Sequence, residues 1–198
     1  MTFQVMVSPD FSPEHIAGWY VFNTWLQRSL GVRCHLHLPD DFESLHRCIE
    51  NGNVDLIYAN AANATKLVRE RGFLPLVAAA GQSDEAVVAV AAESALHELA
   101  DLKPGMRIAL TQDPDVRLIG MMMLEPVDLS AEAIASTQVA SYVLVAKQLL
   151  TGKAEAGFFL KKAFFGLSAP TQRRLRVLVS SDISVMRHTL LEIGRAHV

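Results

Sequence analysis

Asn51-Gly-Asn-Val-Asp-Leu-Ile-Tyr-Ala-Asn-Ala-Ala-Asn63 decides how this chain is read, because a compact apolar run, Val54 to Tyr58, ends abruptly in small and amide-bearing residues. Such a run after Gly52 suits a buried strand of a parallel sheet. Helical patterning resumes at Thr65, Leu67, Val68 and Arg71. Between strand and helix, Tyr58, Asn60 and Asn63 set a hydroxyl and two amides beside a helix amino terminus, whose unpaired N–H groups attract acceptor atoms. In open α/β sheets, ligands gather at such strand ends. The alternative is that Asn60 or Asn63 caps the helix and Tyr58 packs. This stretch alone leaves both readings open.

A second copy adds weight to the first. Thr151-Gly-Lys-Ala-Glu-Ala-Gly-Phe-Phe159 has the same grammar: a helix ends, Gly stops it, an acid follows, and a short apolar strand runs into Lys161-Lys162. Each copy follows an amphipathic helix, Phe42 to Glu50 in one half and Ser141 to Leu150 in the other, with Gly at the expected stop. The chain therefore reads as two similar halves.

Outward from these stretches, strand and helix alternate. Phe3 to Val7 is a strand, and Ser12 and Pro13 open a helix in which Ile16, Trp19, Phe22, Leu26 and Leu30 recur at helical spacing up to Gly31. Trp19 and Phe22 read as core residues. Trp25 falls off that face and is either exposed or in contact with the other half. Val32 to Leu38 alternates strictly, with His35 and His37 on one face. Two imidazoles facing one way are one ingredient of a metal site, with His46 as a remote third, but the solvated face of an edge strand is the favoured reading and no metal is assigned.

Two strands follow, Phe73 to Ala80 and Glu85 to Ala91, separated by Gly81-Gln-Ser-Asp84, the expected crossing between lobes. A short helix is expected over Ser94 to Leu102, a strand over Arg107 to Leu110, and then a helix with Asp113 as N-cap and Pro114 as its first residue. Met121 to Met123 reads as packing. Strands at Ala133 to Val139, Ala154 to Phe159 and Leu175 to Ser180 complete the pattern. The expected class is α/β, with mainly parallel sheets flanked by helices.

The 198 residues, 51% of them hydrophobic, can bury one full core or two small ones. A net charge of −3 without a basic stripe argues against nucleic acid as a partner, and an exposed lead-in to a strand accounts for Gln172-Arg-Arg-Leu-Arg176. Cys34 and Cys48 match no metal or redox spacing, and their pairing stays open. No apolar segment is long enough for a membrane helix. Met1 to Val7 lacks the features of a secretory signal, so the chain as written is expected in the cytoplasm.

The tail, Glu192-Ile-Gly-Arg-Ala-His-Val198, matches residue for residue the translation of a common sequencing adapter. Residues 192–198 are accordingly expected to be foreign and the natural protein to continue past Leu191. No function is assigned to Arg195 or His197.

The order of elements, with Asp55-Leu-Ile-Tyr-Ala-Asn60, then Leu67-Val-Arg-Glu-Arg-Gly-Phe-Leu-Pro-Leu76, then Asp84-Glu-Ala-Val-Val88, resembles periplasmic-binding-protein-like type II proteins. Within them the chain is most similar to the phosphate, phosphite and phosphonate substrate-binding group of ABC transporters. The resemblance implies a two-lobed fold, with residues 1–82 (completed by 182–191) as lobe 1 and 83–181 as lobe 2, closing over a small-molecule ligand. An ABC transporter permease as partner, a periplasmic location, no cofactor and no catalysis are implied with it. Carried over position by position, the ligand residues implied are Ser8, Asp10, Tyr58, Asn60, Ser83 and Asp84, with Thr111, Gln112, Asp113, Asp115, Gln138, Tyr142 and Phe158; Asn63 joins them from the strand-end motif.

One departure stands out. Phosphonate binders of the group carry a loop rich in Ser, Thr and Gly where this chain has Gln112-Asp-Pro-Asp115. A like charge about 4 Å from an anionic ligand costs roughly 4 kcal/mol at an effective dielectric near 20, which weakens the implied ligand, a phosphonate or related oxyanion, and admits a neutral or cationic one. Two further readings compete on the same fold: a cytoplasmic enzyme of the chorismate dehydratase type, and a ligand-sensing domain. The missing signal segment favours the enzyme, whereas the lack of an acid, base and nucleophile at workable spacing opposes it.

Overall fold

A computed structural model of the chain describes residues 2–194. They form two compact units, residues 2–82 with 187–194, and Ser83–Met186. Arg195 and His197, to which no function is assigned, lie outside the described residues.

The first unit is a five-stranded sheet ordered β2-β1-β3-β10-β4, made of β1 (Thr2–Val7), β2 (Arg33–His37), β3 (Leu56–Ala59), β4 (Phe73–Ala78) and β10 (Thr189–Ile193). β1 runs parallel to both β2 and β3, whereas β10 lies antiparallel between β3 and β4. Successive residues of a strand point to opposite faces, so Met6 joins Leu45, Ile57, Leu67 and Leu191 beneath α2 (Phe42–Glu50) and α3 (Ala61–Arg71). Val5 meets Leu26 and Cys34 beneath α1 (Ile16–Leu30). Glu192 and Ile193, at the head of the suspected foreign tail, pair within β10.

The second unit repeats the plan, its sheet ordered β7-β6-β8-β5-β9 from β5 (Ala86–Ala91), β6 (Arg107–Leu110), β7 (Ala135–Gln138), β8 (Ala156–Leu160) and β9 (Leu175–Ser180). β6 is parallel to β7 and β8, and the antiparallel strand inserted beside β8 is β5. α4 (Pro114–Leu124) covers a core of Val88, Ile108, Ile119 and Phe158. α5 (Tyr142–Leu150) covers Val87, Ala109, Leu149 and Phe159 on the other face. Two short helices, α6 (Lys161–Phe165) and α7 (Ala169–Gln172), lead back to β9. The α/β class read from the sequence is the class observed, with both sheets mixed by one inserted antiparallel strand.

The two matched stretches obey one rule. Gly52 and Gly152 both adopt left-handed backbone (φ 69° and 68°), which ends the preceding helix without a Cβ penalty. The acid that follows is a clamp between strands. Asp55 accepts the backbone N–H of Gln4 on β1 at 2.8 Å, and Glu155 accepts that of Arg107 on β6 at 2.7 Å. The acid in the repeated motif thus sets strand register, which is a reason for its recurrence that sequence alone did not reveal.

Some expectations about single residues and short segments need correction, and others are met or decided. Ser12 makes no side-chain cap; Pro13–His15 form a 3-10 turn and the α-helix starts at Ile16. Along α1 only Asn23 and Leu26 are fully buried, while Trp19 and Phe22 are half-buried and Ile16 and Leu30 are exposed. Trp25 is 58% exposed. The helix expected over Ser94 to Leu102 shrinks to a 3-10 turn, Leu99–Asp101. Two of its carbonyls are taken elsewhere: the Arg176 guanidinium, arriving on β9, binds those of Ser94 and Leu96 at 2.6 and 2.7 Å, and that of Ala92 just before them at 3.0 Å. A carbonyl so engaged is turned from the i+4 N–H that would propagate a helix. Cys34 and Cys48 are both free thiols, the first buried, and burial pushes the Cys34 thiol up from its ordinary pKa. His35 and His37 are exposed on β2, an edge strand, and among the described residues no three His, Cys, Asp or Glu side chains are grouped to hold a metal ion.

Candidate ligand site

Parallel pairing of β1 with β3 brings their carboxyl ends together: Val7 stands opposite Tyr58, and the Ser8 N–H donates to the Tyr58 carbonyl at 2.9 Å. Asn60 is then the N-cap of α3, its Oδ1 accepting the N–H of Asn63 at 3.0 Å. Its amide also donates to Asp10 Oδ2 at 2.7 Å, so one side chain caps the helix and fixes the loop after β1. The sequence left open whether Asn60 caps or lies in a site; it does cap, and it holds Asp10 while doing so. Asn63 turns away from this group, its Oδ1 lying 3.0 Å from His46 Nε2 on α2.

Antiparallel β10 completes the cluster, because Thr189 pairs with Ala59 and the residue before it therefore lies at the carboxyl end of β3. That residue is His188. Its Nε2 is 3.2 Å from Asp10 Oδ1, and its ring stacks on Tyr58 with centroids 5.2 Å apart and planes 17° from parallel. Burial raises the Asp10 pKa, but the hydrogen-bonding and charge of His188 and the Asn60 amide outweigh it and hold the carboxyl below its ordinary value of 3.8. Sequence reading missed His188, since nothing in Arg187-His188-Thr189 announces a partner for a carboxylate 178 positions earlier.

Besides Asp10 Oδ1, whose neighbour is His188, two buried polar atoms beside Tyr58 make no hydrogen bond among the described residues: the Ser8 hydroxyl and the Trp19 indole N–H. Trp19 packs against Tyr58 at 5.1 Å between centroids. Buried donors without protein partners are rare, and an ordered water is a common partner for such a group.

The second unit has its own strand-end group after β6. Asp113 caps α4, its Oδ1 accepting the N–H groups of Asp115 and Val116 at 3.0 and 3.2 Å and its Oδ2 the Tyr142 hydroxyl at 2.9 Å. Thr111 is buried beside it, its Oγ1 accepting the Asp113 N–H at 3.4 Å, and Asp115 is buried as well. Gln112 is exposed, and so is Gln138, which pairs with Leu110 at the end of β7. Ser83 and Asp84 join a different group: the Asp84 N–H donates to the Met186 carbonyl, and Ser83 hydrogen-bonds Glu85. Phe158, implied by the resemblance to touch ligand, is instead a fully buried core residue whose ring fills the space a Cβ on Gly120 would need.

Glu85 organises the segment leading out of this unit, accepting the Ser181 hydroxyl and the N–H groups of Ile183 and Ser184 at 3.1 and 2.7 Å. Burial raises its pKa, but these donors outweigh burial and keep it below its ordinary value of 4.5. A carboxylate with a lowered folded pKa stabilises fully above the unfolded value and loses that contribution as pH falls through the folded one. The stability difference between wild type and Glu85→Gln should accordingly be largest above pH 4.5 and shrink below it, as read by urea midpoints at a series of pH values.

The sequence profile of the periplasmic phosphonate substrate-binding proteins of ABC transporters matches residues 5–191. The chain belongs to that family. Its members are transporter binding proteins rather than enzymes, and periplasmic ones. Comparison with curated proteins found no match. Among solved structures the chain is similar to a binding protein component of an ABC phosphonate transporter from Pseudomonas aeruginosa, with 14% identity, a TM-score of 0.72, and 98% of this chain and 69% of that one covered. It is also similar to PhnD1 of Prochlorococcus marinus, solved with methylphosphonate, at 12% identity, a TM-score of 0.77 and coverage of 98% and 76%. A third likeness is to the aliphatic sulphonate binding protein SsuA of Escherichia coli, at 15% identity, a TM-score of 0.71 and coverage of 98% and 61%. At these identities the structures speak to the fold, which they share. Among the described residues of this family member, no helix is long and apolar enough to cross a membrane.

Proposed function

We propose that this substrate-binding protein takes a small organic oxyanion, a phosphonate or a sulfonate, and hands it to an ABC permease, with Ser8, Trp19, Tyr58 and Asn60 among its ligand residues. The observation that carries the reading is the pair of buried, unpartnered donors, the Ser8 hydroxyl and the Trp19 N–H, flanking Tyr58 at a strand end. Donors without acceptors suit an anionic oxygen better than an ammonium group. Family membership and the phosphonate or sulphonate named for the similar structures support the same ligand class.

The objection from Asp113 loses much of its force in the folded unit. Asp113 spends its charge on two backbone N–H groups and the Tyr142 hydroxyl, so a ligand nearby meets a compensated carboxylate rather than a bare one. Thr111, Tyr142 and the exposed Gln112 and Gln138 supply further polar groups at that unit's strand ends. Asp10, 3.2 Å from His188 Nε2 and bonded to the Asn60 amide, orients its neighbours.

A thermal-shift screen tests the proposal. Methylphosphonate or methanesulfonate at a hundred times its dissociation constant stabilises the folded state by about 2.7 kcal/mol, a rise of several degrees in the melting temperature. Simple amines and neutral amino acids are expected to give no shift. A shift with an amine and none with any oxyanion would overturn the assignment of ligand class.

A further inference from the structure

We propose that His188 is the residue that makes the first unit's site tolerant of an anion: its imidazolium, paired with Asp10 and stacked on Tyr58, cancels the buried negative charge of Asp10. The assignment rests on the oxyanion reading above and adds a residue and a charge rule to it.

The Asp10 side chain is 5% exposed and that of His188 18%, so neither charge is screened by bulk water as a surface charge would be. The carboxylate stays ionised. Its two oxygens face Asn60 and His188, and its pKa is held low by them. A bare carboxylate about 4 Å from an anionic ligand opposes binding by roughly 4 kcal/mol at an effective dielectric of 20, close to a thousandfold in affinity. An imidazolium 3.2 Å from the same carboxylate removes most of that opposition. Neutral imidazole does not. The site therefore has net charge near zero while His188 carries its proton and near −1 once the proton leaves.

Geometry fixes the imidazole for this task. The His188 carbonyl accepts the N–H of Ala79, which follows β4, at 3.2 Å, and the ring is held between the Asp10 carboxylate and the Tyr58 face. Titratable groups facing it among the described residues include Asp10 from the loop after β1 and Tyr58 from β3, with Arg187 its neighbour in the chain. Of these, Asp10 is the one whose charge opposes an oxyanion.

The test uses methanesulfonate, which does not titrate near neutrality, so that any pH dependence belongs to the protein. Its dissociation constant is measured by calorimetry from pH 5.5 to 8.5 for wild type, His188→Gln, Asp10→Asn and the double variant. Wild-type affinity is expected to fall at least tenfold across this range. His188→Gln should bind weakly at every pH, with the slope gone. The double variant, lacking both charges, should recover at least tenfold over His188→Gln and bind independently of pH. A purely structural role for His188 would leave the double variant no better than the single one. That outcome, or an unchanged pH slope in His188→Gln, overturns the assignment. Failure of wild type to bind methanesulfonate or methylphosphonate at any pH would instead sink the oxyanion reading itself.

Discussion

Replacing Phe158 by Ala should lower the stability of the second unit by about 3–5 kcal/mol while leaving ligand affinity of the folded protein near its wild-type value. The ring has no exposed surface and lies in the core of Val88, Ile108 and Ile119 beneath α4. It occupies the space made by Gly120, where any Cβ would overlap the ring. Truncation loses the transfer free energy of the ring and leaves a cavity that a helix and two strands cannot readily close. Phe158→Leu, which keeps most of the volume, should cost well under half as much. Urea denaturation read by circular dichroism gives the stability change, and calorimetry with the best oxyanion from the screen gives the affinity. Lost affinity with an unchanged urea midpoint would return Phe158 to the ligand site that the family resemblance implied for it.

The second large effect is expected at Arg176. Its guanidinium binds three carbonyls, of Ala92, Ser94 and Leu96, from a position at which the group is half-buried. Arg176→Met keeps much of the stem and removes every donor, leaving up to three carbonyls without partners. An unsatisfied buried acceptor costs about 1–3 kcal/mol, and partial hydration of this half-buried segment brings the expected total to about 2–4 kcal/mol. Arg176→Lys restores a charge but not the planar fork, and should recover only part of the loss. Hydrogen exchange distinguishes the cause from a general weakening. Amides around Ala92 to Leu102 should lose protection first, and uniform loss across both sheets would show that Arg176 is not the local organiser of this segment.

How far the sequence was legible can be judged from these residues. Most sheet elements were readable because strands and helices carry their own periods, and because Gly52, Gly72 and Gly152 end helices by a local rule. The cap at Asn60 was readable for the same reason, since capping engages residues three apart. The helix expected at Ser94 to Leu102 failed because Arg176, more than seventy positions later, competes for its carbonyls. The burial expected along α1 failed in part because a hydrophobic stripe states that a face can be buried, not how much sheet lies beneath it. Of the site residues inferred, Ser8, Asp10, Tyr58 and Asn60 come together in one unit, and Thr111, Asp113, Asp115 and Tyr142 lie together in the other.

The sequence by itself determined the α/β class, the doubled plan and the family, because those rest on patterns local enough to survive in one dimension. It also offered the strand-end loops where a ligand group was expected. Tertiary structure alone decided the chemistry of the first of them. Only the antiparallel insertion of β10 beside β3 carries His188 to Asp10, and only burial sets that pairing apart from a weak surface contact. The Asp55 and Glu155 clamps belong to the same category. Their spacing was visible as a repeat, but the backbone N–H groups they hold lie on neighbouring strands, a relation that exists only once the sheets have formed.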